Sequence, residues 1–217
     1  MKKIFILITV ALAALTVSSC QKWLDVNNNV DAPDYIDEYL YLPGILQENQ
    51  YYYYDIRATG SLAKMQGNGS WTAFANHNYS SGSDNGGGLW YVCYFHHGMN
   101  LENMINQAVE HKRWTLAGIG WAIKAYDWDK LTKEYGEVPC KQAYEPGRTA
   151  FDYDYQEDVY PIVREYAHNA IKYLAMEDTE TDPKTLKEKD CAYHGDKAKW
   201  AKLAHSVIVS NLASLTN

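Results

Sequence analysis

The stretch that decides the fold is residues 114–135, which read WTLAGIGWAIKAYDWDKLTKEY. Its three tryptophans stand seven residues apart, so on an α-helix their indoles lie along one stripe. Gly118 and Gly120 lie beside this stripe and permit the close approach of a neighbouring helix. Indoles at this spacing, flanked by small residues, are more typical of helix packing than of a binding platform. We therefore assign the stripe to the core; it consists of Trp114, Trp121 and Trp128.

A second amphipathic helix is predicted directly before the first. From Trp90 to Ala108, apolar side chains recur at spacings of three and four residues, as expected for a helix that runs from Gly88 to about His111. Only a short link separates the two helices, and such a link favours an antiparallel hairpin.

An earlier helical pattern runs from about residue 34 to residue 65. Pro43 and Gly44 lie within it, and we expect them to break the helix because proline lacks a backbone donor and glycine is conformationally permissive.

A third clear helix is predicted at roughly residues 156–176. Asp154 and Glu157 are spaced as in a capping box, which would start the helix early but place Pro161 inside it as a kink. The alternative is a start nearer Asp158, and the pattern leaves both open.

The last helix is predicted to begin at Asp196, which can act as its N-cap, after a polar connection at residues 178–195. Its apolar stripe continues to the end of the sequence, whereas a terminal helix in a repeat-like array normally has a polar outer face. We therefore expect a domain over residues 34–217 that is truncated at its C-terminus. The alternative is that this helix packs back on the earlier hairpin.

One long loop interrupts the helices. Glycine and serine clusters at 67–70 and 80–88 enclose several aromatic residues, and a long loop inside a helical domain is often functional. This loop is the best local candidate for a binding surface.

The N-terminus resembles a bacterial lipoprotein signal sequence. Lys2 and Lys3 precede an apolar stretch, and small residues lead to Cys20 in a lipobox-like run. In this interpretation residues 1–19 are a cleaved signal peptide, acylated Cys20 is the lipid anchor, and residues 20–33 are a polar tether. The protein would then leave the cytoplasm and remain attached to a membrane.

Charge and cysteine content narrow the function classes. The formal net charge is −7, and loss of the signal segment makes it more negative, which disfavours nucleic acid as a partner. Three cysteines remain after Cys20, so at most one disulfide can form within the chain, and their irregular spacing indicates no zinc site.

Three further motifs resemble those of the SusD/RagB family of outer-membrane nutrient-binding lipoproteins. The turn Tyr135-Gly136-Glu137-Val138-Pro139 follows the tryptophan helix, the segment 153–160 reads YDYQEDVY, and the segment 195–204 reads GDKAKWAKLA. The opening Trp23-Leu24-Asp25-Val26 and the lipobox are also typical of such proteins. The resemblance covers most of the mature chain but only the N-terminal portion of a family member.

The resemblance implies a mostly all-α fold of tetratricopeptide-like helical hairpins with long loops. It also implies a lid-like lipoprotein at the cell surface that captures oligosaccharides, or peptides in some branches. Such a protein passes its ligand to a SusC-like TonB-dependent outer-membrane transporter. It is not an enzyme, and no cofactor or metal is expected.

The binding candidates follow from this ligand class. Sugar recognition needs aromatic faces together with amide or carboxylate groups for the hydroxyls, and the long loop offers aromatic rings and amides. Structural roles, in which Trp71 and Phe74 merely pin the loop to the helices, remain an alternative. So do a truncated fragment with only a structural or adaptor role and a surface glycoside hydrolase. The ligand-binding candidates are Trp71, Asn76, His77, Asn78 and Tyr79.

Overall fold

A computed structural model of the chain describes residues 36–48 and 87–215, together with Gly60, Ala63 and Met65. The signal peptide, Cys20, the tether and most of the long loop lie outside the described residues. The predicted helix beyond residue 48 also lies outside them, apart from those three isolated residues.

The described residues are mostly helical, which confirms the predicted all-α class. No strand is present in this part of the chain, and Val138 and Asp154 form an isolated antiparallel bridge. A 3₁₀ turn at Glu38–Leu40 precedes the first helix, and a π-helix at Val92–His97 separates the second from the third. The α-helices are α1 Tyr41–Glu48, α2 Gly88–Tyr91, α3 Gly98–Glu110, α4 Trp114–Tyr135, α5 Gln156–Ala175, α6 Pro183–Lys189 and α7 Lys197–Ala213.

The tryptophan helix, α4, is the centre of the core, as its spacing predicts. It packs against α3, α5 and α7. Trp128 is buried, while Trp121 and Trp114 lie against α5, with ring centroids 5.4 Å from Tyr166 and 5.8 Å from Tyr173 respectively. The indoles therefore serve helix packing rather than forming a binding platform.

Two glycines on α4 set its distance from its neighbours. A Cβ atom at Gly118 would lie 2.6 Å from Leu174 Cγ on α5, and one at Gly120 would lie 2.5 Å from Ile105 Cγ1 on α3. Both distances are shorter than a van der Waals contact, so a larger residue would push the helices apart. The close approach predicted from the sequence is thus confirmed on two sides of one helix.

The predicted break at Pro43 and Gly44 is wrong. Both residues lie inside the continuous helix α1. Pro43 falls in the first turn, where a backbone N–H has no intrahelical acceptor, so the missing donor costs nothing there.

The open question at the start of α5 is resolved in favour of an early start. The helix begins at Gln156 with Pro161 inside it, and the residue at the N-cap position, Tyr155, forms no side-chain cap. The capping box is wrong because the Asp154 carboxylate accepts hydrogen bonds from the backbone N–H groups of Cys140 and Lys141, both at 2.8 Å. Asp154 therefore holds the preceding loop rather than the helix.

The segment predicted as a polar connection contains the short helix α6. Asp182 caps it by accepting from the backbone N–H groups of Lys184 and Thr185, and Pro183 occupies its first turn. An aspartate before a proline is a helix-start signal. The helix itself reads PKTLKEK and has a single buried apolar residue, Leu186, so it carries little apolar periodicity.

The last helix, α7, packs on α4, which is the second helix of the predicted hairpin, and on α5. Asp196 caps it as predicted, with bonds from Ala198 and Lys199. One face of α7 is buried and includes Trp200 and Val207, while Val209 remains 67% exposed. The apolar pattern of this helix is therefore divided between a buried face and an exposed one.

Candidate functional site

The five ligand-binding candidates predicted from the sequence lie outside the described residues. The structure resumes at Gly87, at the end of the same loop, and continues directly into α2 and the π-helix Val92–His97. The aromatic side chains of this segment follow the predicted binding loop directly in the sequence, and Tyr153 packs beside one of them, Trp90. They define the candidate site.

The π-helix is an unusual feature that changes which side chains share a face. A π-helix has a wider turn than an α-helix, and such turns occur frequently at functional sites. Gly98 ends it, and a Cβ atom there would lie 3.4 Å from the Tyr144 ring, so the segment packs tightly against the loop after α4.

Two rings on this segment, those of Tyr91 and Phe95, form a stacked pair at the surface. We call this pair, together with the imidazole of His96 beside it, the aromatic platform. Tyr91 and Phe95 are nearly parallel, at 15° with centroids 5.0 Å apart, and they are 43% and 72% exposed. The His96 ring stands edge-on to Tyr91 at 4.4 Å. A large apolar ring that is mostly exposed and held in place by its neighbours is suited to ligand contact.

Further rings surround Trp90 on the adjacent face of the same segment. Its centroid lies 4.8 Å from Tyr94, 5.4 Å from Tyr135 and 6.3 Å from Tyr153. Tyr153 is 61% exposed, so this group reaches from the core to the surface. Burial raises the pKa of Tyr94, which keeps its phenol protonated as a donor to the Pro139 carbonyl at 2.9 Å.

A buried imidazole holds the C-terminal end of the π-helix against α1 and α4. His97 is 1% exposed; its Nδ1 lies 2.6 Å from Asp127 Oδ2 on α4, and its Nε2 lies 2.8 Å from the Ile45 carbonyl on α1. Both neighbours are acceptors, so both ring nitrogens must carry a proton and His97 is a cation. Burial lowers the pKa of His97, but the Asp127 charge and the hydrogen bonds outweigh it, leaving the pKa raised.

Three of the described histidines each pair with a different carboxylate. His96 pairs with Glu48, His97 with Asp127 and His111 with Glu38. No group of three metal-ligating side chains is found within residues 36–48 and 87–215. Two acidic residues of the 152–158 segment, Asp154 and Asp158, form ion pairs with Lys141 in the loop after α4.

Two further observations concern cysteines and membrane helices. Cys93, Cys140 and Cys191 form no disulfide. Across the described ranges, none of the helices combines the length and apolarity needed to span a bilayer.

The sequence alone did not indicate Tyr91, Phe95 and Tyr153 as candidates. A regular 3.6-residue period places Phe95 on the outer side of the helix, where a large ring is unexpected. That ring outside the apolar stripe is the signal that could have identified the platform.

Comparison with known proteins identifies the family of this chain. The model of a SusD-like family, described as starch-binding associating with outer membrane, matches residues 45–215. No curated protein matches the chain.

A solved structure shows the same fold. It is the crystal structure of a SusD/RagB family protein from Bacteroides thetaiotaomicron VPI-5482 at 1.75 Å resolution, with a TM-score of 0.55 and 20% sequence identity. The match covers 80% of this chain and 37% of that chain, so this chain spans less than half the length of its structural relative. Because the family model matches well over half of the sequence, the chain belongs to the SusD-like family, which is described as starch-binding and associated with the outer membrane.

Proposed function

We propose that this protein captures oligosaccharides at the bacterial cell surface and passes them to a SusC-like TonB-dependent transporter in the outer membrane. The family description supports a glycan ligand and the outer membrane. The transporter, the surface location and delivery to the transporter are part of the proposal, as they follow from the resemblance described above.

The observation that carries the proposal is the stacked pair Tyr91 and Phe95. Pyranose rings present apolar C–H faces that pack on aromatic faces, while their hydroxyls need polar partners nearby. Phe95 offers an exposed ring, and the phenol of Tyr91 and the imidazole of His96 lie beside it. The chain thereby brings an apolar face and polar groups together at one surface.

Attachment to the membrane is proposed to occur through acylated Cys20. A lipid on this residue would hold the folded helices at the outer membrane through the tether at residues 20–33. Each methylene buried in the bilayer contributes about 0.8 kcal/mol, so two or more acyl chains would make release negligible.

The role proposed is binding rather than catalysis. A glycoside hydrolase needs two carboxylates at a defined separation across a cleft. The carboxylates near the platform are engaged instead, since Glu48 pairs with His96 and Asp127 with His97. A binder retards on a glycan-containing gel without releasing reducing ends, whereas a hydrolase releases them.

The test is binding of maltoheptaose to the full chain in detergent, measured by isothermal titration calorimetry. An aromatic contact contributes about 0.5–1.5 kcal/mol, so the substitution Phe95→Ala should weaken binding by roughly two- to tenfold. Phe151→Ala is the matched control, because Phe151 is also an exposed phenylalanine (39%) but is not part of the platform. Equal affinity of the parent and of Phe95→Ala would refute the platform as the site.

A panel of other glycans and of peptides completes the test. If a peptide raises the unfolding temperature and no oligosaccharide does, the proposed ligand class is wrong, because a ligand that binds only the folded state must stabilise it.

A further inference from the structure

A cavity of about 280 Å³ lies between the helix core and the loop that follows α4. It is separate from the aromatic platform, since Tyr91, Phe95 and His96 do not line it. Its walls come from α3, α4, α5 and the loop at residues 140–146. Its lining side chains include Glu102, Lys124, Trp128, Ala143, Tyr144 and Tyr166.

The cavity contains a lysine that is almost fully buried. Lys124 is 7% exposed, and its ammonium forms an ion pair with Glu102 Oε1. The same ammonium lies over the rings of Trp121 and Tyr166, 5.0 Å and 4.5 Å from their centroids. A buried ammonium is costly to keep dehydrated, so its three donors favour any hydrogen-bonding partner that enters the cavity.

The carboxylate of the pair also has capacity to accept. Glu102 Oε1 is buried, and the ion pair with Lys124 is its only polar contact within the described parts of the chain. A strong donor and a strong acceptor therefore stand side by side in the wall of one cavity. A pair of adjacent hydroxyls matches this arrangement, since one hydroxyl can accept from the ammonium while its neighbour donates to the carboxylate.

The charge of the lining selects against ions. Lys124 and Lys141 are balanced by Glu102 and Glu145, so the cavity is formally neutral. Burial raises the pKa of the Cys140 thiol to about 12, so this side chain adds no charge. A charged ligand would have to compete with the Lys124–Glu102 pair and leave one partner uncompensated, whereas a neutral ligand leaves the pair intact.

Three aromatic side chains also line the cavity. Trp128 and Tyr166 come from the helices, and Tyr144 comes from the loop, where its phenol donates to the Cys93 carbonyl at 2.5 Å. The volume lies at the lower end of the range for small-molecule pockets, which suits one sugar ring rather than a chain of them.

We propose that this cavity is a second binding subsite, which holds one neutral sugar ring between the Lys124–Glu102 pair and the aromatic walls. The inference takes only its ligand class from the proposed function. Its residues differ from those of the platform, so either site can fail without the other.

The probe for the test is methyl α-D-glucopyranoside, observed by saturation-transfer difference NMR with the full chain in detergent. The substitution Ala143→Phe places a ring at the lining of the cavity without removing a polar group, and it should abolish the transfer signal. Ala150→Phe is the matched control, because Ala150 is an exposed residue that does not line the cavity, and it should leave the signal unchanged. A signal of parental strength in Ala143→Phe would overturn the subsite.

A second variant covers the case in which Ala143→Phe does not fold. Lys124→Met combined with Glu102→Gln removes both charges at similar volume, and such an exchange of a buried pair is tolerated. Binding of the glucoside should weaken by about tenfold in this double variant, as expected for loss of charge-assisted hydrogen bonds. Unchanged affinity would show that the ion pair does not bind the ring.

Two comparisons separate this inference from the proposed function. Phe95→Ala should lose affinity for maltoheptaose and keep the glucoside signal, whereas Ala143→Phe should lose the glucoside signal. A glucoside signal that disappears in Phe95→Ala places the monosaccharide on the platform and overturns the subsite. Stronger binding of glucuronate or glucosamine than of the neutral glucoside overturns the assignment to a neutral ring.

Discussion

At the scale of single residues, buried carboxylates organise the loops of this chain. Asp190 is fully buried and accepts hydrogen bonds from the backbone of Ala192, Tyr193 and Gly195 and from the Trp200 indole, the last at 2.7 Å. Gly195 and Trp200 of the 195–204 segment thus share one acceptor, and the Asp190 carboxylate joins the loop to the helix that follows. Asp154 plays the same role for the turn after α4.

Asp190→Asn should destabilise the fold measurably. The amide retains one acceptor oxygen but replaces the other with an NH₂ group, which would face N–H donors. Hydrogen bonds to a charged group contribute about 1.5–3 kcal/mol, and the free energy of unfolding should fall by that order. Urea titration followed by circular dichroism gives the value.

Asp182→Asn is the matched control for this prediction. Asp182 is an exposed N-cap, and asparagine caps a helix about as well as aspartate. We expect almost no change in unfolding free energy there, and equal losses in the two variants would contradict the special role of Asp190.

At the scale of elements, histidine and arginine side chains hold the N-terminal helix against the rest of the core. Besides the bond from His97 to the Ile45 carbonyl, buried Glu38 contacts His111 at 2.9 Å and Arg113 at 2.8 Å. At the other end of α1, Glu48 lies 3.6 Å from His96. Part of the attachment of α1 therefore depends on the protonated imidazole of His97.

Raising the pH should weaken this attachment. The folded-state pKa of His97 is raised above its unfolded value of about 6.5, so its contribution is fully present below that pH and is lost as the pH rises through the higher folded value. The groups facing His97 are Asp127 from α4 and the Ile45 carbonyl and Glu48 from α1. We expect the unfolding free energy, measured by urea titration, to fall with pH in this window.

His97→Gln should flatten that pH dependence, because glutamine cannot lose a proton. His168→Gln provides the matched control, since His168 is an exposed residue of α5. A slope in His97→Gln as steep as in the parent would contradict the assignment of a buried imidazolium at this position.

Elements also show which features the sequence could predict. The spacing of the tryptophans and the two glycines predicted the packing of α4 because helix periodicity is local information. The backbone donors to Asp154 lie in the loop 13 and 14 residues before it, and the Trp200 indole lies 10 residues beyond Asp190, so no local pattern revealed these bonds. The platform escaped prediction because Tyr91 and Phe95 lie outside the apolar stripe, and helix periodicity identifies only the buried face.

At the scale of the whole molecule, family membership and the predicted signal peptide lead to one prediction about the anchor. In the proposed function, Cys20 carries the lipid that retains the protein at the membrane. Cys20→Ala should abolish incorporation of radiolabelled palmitate, because it removes the thiol to which the lipid would be attached.

Cys191→Ala is the control for that experiment. Cys191 is an exposed cysteine far along the chain from the lipobox, and its loss should leave labelling unchanged. Palmitate incorporation that persists in Cys20→Ala would refute the anchor.

Two tyrosines link the surface that carries the aromatic platform to the loop that lines the cavity. Tyr94 of the π-helix donates to the Pro139 carbonyl, and Tyr144 of the loop donates back to the Cys93 carbonyl. Every amino acid has a backbone carbonyl, so the acceptor of each hydrogen bond does not depend on the side chain, whereas the donor does. A substitution at Pro139 or Cys93 leaves the acceptor in place, whereas Tyr94→Phe or Tyr144→Phe removes a donor, so the alignment of the two surfaces depends on the two phenols.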